Sequence, residues 1–365
     1  MRFPARVTPF QFFFIAVNLA FGASMLGMPR RLAELAGEDM WMPVLLGCGL
    51  LLAALWVAVR LAAYFPDKTI LEYSRILLGG VAGTALNLVL AIMIVMMTAV
   101  MIRFFIIAVR VHLLDLTPPL VLNTLILLPS VYAAQYGLMP VVRTIQFLFL
   151  PSFSLFIVLL LLGLLSVDTS NYQPVLAGGV VPVLKALIPT WYIYTGPELI
   201  IGLLYPSLSR PRAVFRFGAA AAVFLAVIYT SITAFTQGIL GADETAHLLI
   251  PTVMAYRSVE IPDTFIERLD GYLLTIWISL FLAAQTLWVY FIAAVAGRLT
   301  GCEYPRPLAA LFIPLLVYLV HLPPDSQTSD LVWQWTNYLG MGWSLGVLPL
   351  LLLLAWRRAR GRPPC

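Results

Sequence analysis

The sequence predicts an all-α integral membrane protein with ten transmembrane helices, arranged as a five-plus-five inverted repeat with broken helices 1 and 6. Three observations support this class: the composition, the number of long apolar stretches, and an interruption in the first stretch of each half. Of the 365 residues, 61% are hydrophobic and 11% are charged, and the mean hydropathy is +0.95. Because a typical soluble domain carries about 25% charged residues, the low charge excludes a water-soluble globule. The high apolar content excludes a disordered chain.

Ten stretches approach the length of about 20 apolar residues that a spanning helix needs. They cover roughly 8–35, 41–64, 80–111, 118–137, 143–166, 182–205, 212–240, 265–297, 306–322 and 331–356. With the N-terminus inside, most of the 22 Lys and Arg residues fall on the inner side and most of the 17 Asp and Glu residues do not. This is the positive-inside pattern, so we expect both termini to be cytoplasmic. The whole chain, 1–365, is predicted to be a single membrane domain.

The ten spans divide into two halves of five, at about 8–166 and 182–356. An odd number of spans gives the two halves opposite orientations, as in inverted-repeat transporters. The first span contains Gly22, Gly27 and Pro29, and the sixth contains Gly196 and Pro197. Each interruption lies near the middle of the span that opens its half. Ordinary kinking is the alternative, since Gly and Pro are common in membrane helices.

An interrupted helix exposes backbone groups that are costly in hydrocarbon unless they face a cavity or a ligand. The N–H groups of 24–27 suit a carboxylate, and the carbonyls of 20–22 and 192–195 suit an ammonium group. An amino acid zwitterion carries both groups. The predicted substrate-binding residues at the two interruptions are Gly22, Ala23, Ser24, Met25, Leu26, Gly27, Tyr192, Tyr194, Thr195 and Gly196, with Thr98 and Ser279 as candidate wall residues.

A few polar side chains within the spans carry further expectations. Glu198 directly follows the second interruption, and buried carboxylates at membrane depth are costly and functional. Three roles stay open for it: proton carrier, cation ligand, or a lock on the helix break. Asn18 is expected to form an interhelical hydrogen bond. Arg103 and Arg110 share one face of the third span's outer end, where long basic side chains extend toward the interface.

Enzyme chemistry finds no support in the motifs. The cysteines Cys48, Cys302 and Cys365 lie far apart, the three histidines form no metal-binding motif, and no P-loop or Gly-x-Ser-x-Gly elbow occurs. We therefore predict that the chain is not an enzyme and has no catalytic residue, no metal and no cofactor. A ligand-gated ion or water conduit between the repeats stays open as a function, although no filter-like sequence supports it.

Four segments resemble a known family in their order and spacing. They are 22–29 followed by 36–41, 66–74 followed by Leu78 and Gly79, 194–198, and 265–270. In these segments the chain resembles the spore germination B-subunit family, which belongs to the amino acid–polyamine–organocation transporter superfamily. The resemblance covers nearly the whole chain.

The resemblance implies a nutrient germinant receptor subunit, located in the inner spore or cell membrane, that triggers spore germination. It implies a small amino acid or similar nutrient bound at 22–27 and 194–198, and receptor A and C subunits as partners. No nucleic acid partner is expected. A proton- or cation-coupled amino acid permease is the alternative, because the resemblance does not decide whether the bound nutrient crosses the membrane.

Overall fold

A computed structural model describes residues 6–20, 24–259, 269–302, 308–323 and 325–360, and these residues form helices joined by short connections. The helices are α1 Pro9–Ala20, α2 Ser24–Ala36, α3 Met42–Ala63, α4 Ile70–Leu78, α5 Gly80–His112, α6 Pro119–Gln135, α7 Leu138–Gly163, α8 Val180–Tyr194, α9 Pro197–Leu204, α10 Val214–His247, α11 Pro251–Arg257, α12 Leu269–Thr300, α13 Leu308–His321, α14 Ser326–Gly342 and α15 Leu348–Arg360. A π-helical segment, Trp343–Val347, joins α14 to α15. The prediction of an all-α fold is confirmed over the described residues.

Six helical stretches are long and apolar enough to cross a bilayer, which makes the chain a multi-pass membrane protein. They are Met42–Ala63, Gly80–His112, Leu138–Ser166, Pro211–His247, Leu269–Thr300 and Thr328–Arg360. Four shorter apolar helices accompany them: Pro9–Ala20, Pro119–Gln135, Val180–Tyr194 and Leu308–His321. The count of ten spans and the inverted repeat stay predictions.

The helices pack around a buried centre that contains α12. This helix lies against α5, α6 and α7 and also touches α1. A second group forms where α10 packs along α1, α2 and α3, and α8 packs along α2 and α3. The interrupted pairs α1–α2 and α8–α9 therefore lie inside the bundle, where neighbouring helices surround them.

The short helix α4 is stabilised at its start by a capping box and along one face by hydrogen bonds to α5. Thr69 and Glu72 make a reciprocal capping box at its start, in which the Thr69 N–H donates to Glu72 Oε2 at 2.7 Å. Asn87 of α5 then ties α4 to its neighbour: its Nδ2 donates to the Leu71 carbonyl, and its Oδ1 accepts from Ser74 Oγ, both at 2.8 Å.

The segment before α1 is joined to the segment after α9 by backbone hydrogen bonds. The Val7 N–H donates to the Ser207 carbonyl at 2.8 Å, and the Ser209 N–H donates to the Val7 carbonyl at 2.9 Å. These two bonds form a single parallel bridge between Val7 and Leu208. The start of α1 and the end of α9 are thus held together by main-chain hydrogen bonds.

Candidate functional site

The second predicted interruption is present between α8 and α9. Thr195 is extended, with φ −69° and ψ 132°, and Gly196 adopts φ 140° and ψ −59°, a region that favours glycine. Pro197 then begins α9, a first helical position that suits proline because its missing N–H is not needed there. The Gly-Pro pair therefore both ends one helix and begins the next.

The first predicted interruption falls between α1 Pro9–Ala20 and α2 Ser24–Ala36. Its residues Gly22 and Ala23, both predicted site residues, lie outside the described residues, so this interruption stays a prediction. Ser24, Met25, Leu26 and Gly27 belong to the first described turn of α2. A Cβ atom added at Gly27 would lie 2.7 Å from Phe104 Cζ, so glycine allows Phe104 of α5 to pack against this turn.

The second interruption lies beside α1 and α12. A Cβ atom added at Gly196 would lie 3.4 Å from Leu19 Cβ of α1 and 3.7 Å from Trp288 Cζ2 of α12. The hydroxyl of Tyr229, on α10, donates to the Ala20 carbonyl at 2.7 Å. The described end of α1, the start of α9 and one face of α12 therefore meet at one place.

Glu198 is buried in the first turn of α9, with 1% of its surface exposed. Its Oε2 accepts the Gly196 N–H at 3.2 Å, and its Oε1 accepts the Ser344 hydroxyl at 2.8 Å. Among the described residues, no Lys or Arg lies within ion-pair distance of this carboxylate. Glu198 thus joins the interruption to the π-helical segment of the last span through two neutral donors.

The remaining predicted residues use their polar groups in other ways. Thr98 Oγ1 donates to the Ile94 carbonyl, Thr195 Oγ1 to the Trp191 carbonyl and Ser279 Oγ to the Thr275 carbonyl, each one turn earlier in its own helix. The Tyr194 hydroxyl donates to the Val44 carbonyl of α3 at 2.7 Å. Tyr192 packs its ring 4.8 Å from that of Trp333. The roles of these residues in binding stay predictions.

Two residues of α12 were missed by the sequence argument. Trp288 borders Gly196, and Gln285 lies three positions earlier on the same helix face. Gln285 is fully buried, and neither its Nε2 nor its Oε1 has a hydrogen-bond partner among the described residues. The sequence signal that could have identified Gln285 is a single amide side chain within an otherwise apolar span. Asn18 gave the same signal, and its predicted interhelical bond is confirmed, since Nδ2 donates to the Leu280 carbonyl at 3.3 Å.

A cavity of about 120 Å³ opens beside the first turn of α2, between α2, α5, α13 and α14. Its walls are mostly apolar, but Arg30, Arg31, Arg103 and Asp330 also line it. Gly27 is the one predicted site residue in the described lining. The Arg103 guanidinium donates to the Val320 and Pro323 carbonyls at the end of α13, at 3.4 and 3.2 Å. Its extension toward the interface stays a prediction.

Metal and cofactor binding gain no candidate site. Over the described ranges, no group of three or more His, Cys, Asp and Glu side chains is arranged to hold a metal ion. Cys48 and Cys302 form no disulfide within the described part of the chain.

Comparisons with known proteins agree with one another. The model of a family described as "Spore germination protein" matches residues 6–329. Spore germination protein YndE of Bacillus subtilis (strain 168) is 26% identical, over 97% of this chain and 98% of its own length. Spore germination protein KB of the same organism is 26% identical, over 86% of this chain and 85% of its own length.

The fold also has a counterpart among solved structures. A Na⁺-coupled sialic acid symporter, in a substrate-bound outward-open state, aligns with a TM-score of 0.54, covering 95% of this chain and 84% of the symporter. The sequence identity is 12%, so the likeness concerns the fold alone. The helices are therefore arranged as in a transporter.

Proposed function

Because the chain belongs to the spore germination protein family, we propose that it is the membrane subunit of a nutrient germinant receptor and binds a small amino acid or similar nutrient. The observation that supports this role is the contact between α1 and the second interruption, where Leu19 lies near Gly196 inside the bundle. Nutrient binding at this place would then trigger spore germination.

The chemistry of binding follows from the free helix ends. The first N–H groups of α2, from Ser24 to Gly27, would hold the carboxylate, since a helix N-terminus favours an anion. The carbonyls at the ends of α1 and α8 would hold the ammonium group. At the described end of α1, the Tyr229 hydroxyl donates to the Ala20 carbonyl and so holds that carbonyl in position.

Family membership also supports a partnership with the other germinant receptor subunits, which the sequence argument identifies as A and C. We place the chain in the inner spore or cell membrane with both termini in the cytoplasm. In this arrangement the chain is a non-enzyme that converts nutrient binding into a signal to its partners.

A coupled amino acid permease is the second candidate. The fold likeness to a symporter favours it, and Glu198 would then carry the coupling proton or contact the coupling cation. The permease and the receptor use the same binding site, so they differ in whether the bound nutrient crosses the membrane.

The deciding experiment deletes the gene for this chain in a spore-forming host and then restores it together with the genes for candidate A and C subunits. We expect deletion to abolish germination on at least one amino acid and complementation to restore it. The purified chain in lipid nanodiscs should bind that amino acid, while the corresponding amide and decarboxylated amine should bind at least about tenfold more weakly, because each lacks one charge.

Uptake of the same radiolabelled amino acid into proteoliposomes, with and without a pH gradient, separates the two candidates. Germination without uptake supports the receptor, and gradient-driven uptake supports the permease. Normal germination of the deletion strain on every amino acid would exclude the receptor function.

A further inference from the structure

The cavity between α2, α5, α13 and α14 contains a guanidinium group whose hydrogen-bonding capacity is not filled. Arg103 donates from Nη1 and Nη2 to the Val320 and Pro323 carbonyls. Its Nε is buried and has no hydrogen-bond partner in the described part of the chain. Burial of an unpaired charged donor is costly, so an additional acceptor is expected beside it.

The charges around this cavity leave one cation without a carboxylate. Glu34 accepts from Arg30 Nε at 2.9 Å and from Arg31 Nη1 at 2.7 Å. Asp330 lies 3.5 Å from Arg31 Nη2, a long contact that joins α2 to α14. Three arginines thus face two carboxylates. Arg103 is the arginine with no ion pair to a described residue.

The walls restrict the kind of anion that fits. Phe104, Ile107 and Trp333 supply apolar surface beside Arg103, and most of the other lining residues are apolar as well. A strongly hydrated inorganic anion would lose water against these walls without replacement, whereas a short aliphatic chain would gain contacts. A volume of about 120 Å³ accommodates several water molecules or a small organic acid.

We propose that this cavity is a binding site for a small organic acid, whose carboxylate is anchored by Arg103 and whose hydrocarbon part contacts Phe104 and Trp333. Arg31 provides a second contact, because its long pairing with Asp330 can be exchanged for the ligand carboxylate. The site adjoins the first turn of α2 through Gly27 but does not depend on the helix interruptions. It requires one negative charge on the ligand, and it makes no use of an ammonium group.

The test measures binding of propionate to the full chain in lipid nanodiscs by saturation-transfer NMR and calorimetry. Propionamide, which has the same shape without the charge, and inorganic phosphate are the comparison probes. We expect propionate to bind and propionamide and phosphate to bind at least about tenfold more weakly, since charge-assisted hydrogen bonds are the stronger kind. Equal binding of propionate and propionamide, or preferential binding of phosphate, overturns the proposal.

Variants identify the anchor. Arg103→Gln should weaken propionate binding at least about tenfold, and Arg103→Lys should weaken it less, because lysine keeps the charge but not the planar fork. Arg216→Gln removes the same charge from an exposed position of α10, outside the lining of this cavity, and should leave binding unchanged. Unchanged binding by a folded Arg103→Gln protein overturns the proposal.

A second pair of variants does not alter any arginine and so covers the case in which Arg103→Gln fails to fold. Val100→Trp fills the cavity and should abolish propionate binding, whereas Val89→Trp, at an exposed position of the same helix, should not. Retained binding in Val100→Trp contradicts the proposed location. Alanine binding at the interruptions with no propionate binding would refute this site alone, and the reverse result would refute the interruption site alone.

Discussion

The hydroxyl of Tyr229, on α10, donates a hydrogen bond to the carbonyl of Ala20, the last residue of α1, at 2.7 Å. Both groups are buried, and 209 positions separate them in sequence. A helix of the second half thus fixes the end of the first interrupted helix. The carbonyl that the sequence argument assigns to a ligand ammonium already has one permanent donor.

Replacement of this donor tests the contact. We expect Tyr229→Phe to lower the free energy of unfolding by about 1 kcal/mol, the net value of one hydrogen bond, and to weaken amino acid binding because the carbonyl loses its fixed position. Thermal unfolding and equilibrium binding in nanodiscs measure the two effects. Tyr318→Phe, at an exposed position of α13, is the control and should change neither. An unaltered Tyr229→Phe protein would contradict this role.

The hydrogen bond between Glu198 and Ser344 provides a test of whether Glu198 acts as a lock, that is, whether it holds the second interruption in its observed geometry. If Glu198 acts as a lock, Glu198→Gln and Ser344→Ala should both destabilise the protein, with a coupling energy of about 0.5–3 kcal/mol in the double variant. If Glu198 carries a proton, Glu198→Gln should instead remove the pH dependence of binding or uptake. Ser344→Ala is the control for that second outcome, since it keeps the carboxyl group. Strict additivity would argue against the lock.

The positive φ of Gly196 predicts that alanine lowers stability at this position, whereas alanine should raise stability at an ordinary helical glycine. Gly196→Ala should destabilise the protein by about 1–3 kcal/mol, because φ 140° is strained for any residue with a Cβ atom. Gly49→Ala, in an exposed position of α3 with no neighbour within 4 Å, should stabilise it by about 0.5–1 kcal/mol. Thermal unfolding of the two variants under identical conditions measures both. Stabilisation by Gly196→Ala would show that the interruption does not need this backbone geometry.

The unpartnered amide of Gln285 predicts a separation of stability from binding. Gln285→Leu should keep or raise the melting temperature, because it removes a buried polar group with no hydrogen bond. It should weaken nutrient binding at least about tenfold if the ligand supplies the missing partner. The control is Gln146→Leu, since Gln146 bonds to Gln11 at the opposite end of α1 from Ala20. Unchanged binding by Gln285→Leu would remove this residue from the site.

The sequence was sufficient for the features that depend on local chemistry. Gly196 and Pro197 specify an interruption because one tolerates positive φ and the other lacks an N–H, and the observed helices end and begin beside them. Asn18 was also interpreted correctly, since a buried amide in a membrane helix requires a partner. These inferences need no knowledge of which helices are neighbours.

The features that depend on helix facing were not predictable. Nothing near Ser344 indicates that it meets Glu198, 146 positions away, and a π-helical segment has no reliable sequence signature. The position of Arg103 along its span predicts that its side chain extends toward the interface, but it does not predict which backbone groups the guanidinium meets. These partners, the Val320 and Pro323 carbonyls, lie at the end of α13, which contacts α5 only in the assembled bundle.

The backbone bridge between Val7 and Leu208 has a mechanical consequence. It fastens the start of α1 to the end of α9, while α2 and α8 pack along each other beyond the interruptions. Backbone hydrogen bonds thus join α1 to the segment after α9, and packing joins α2 to α8. We therefore expect α1 and α9 to tilt together against α2 and α8.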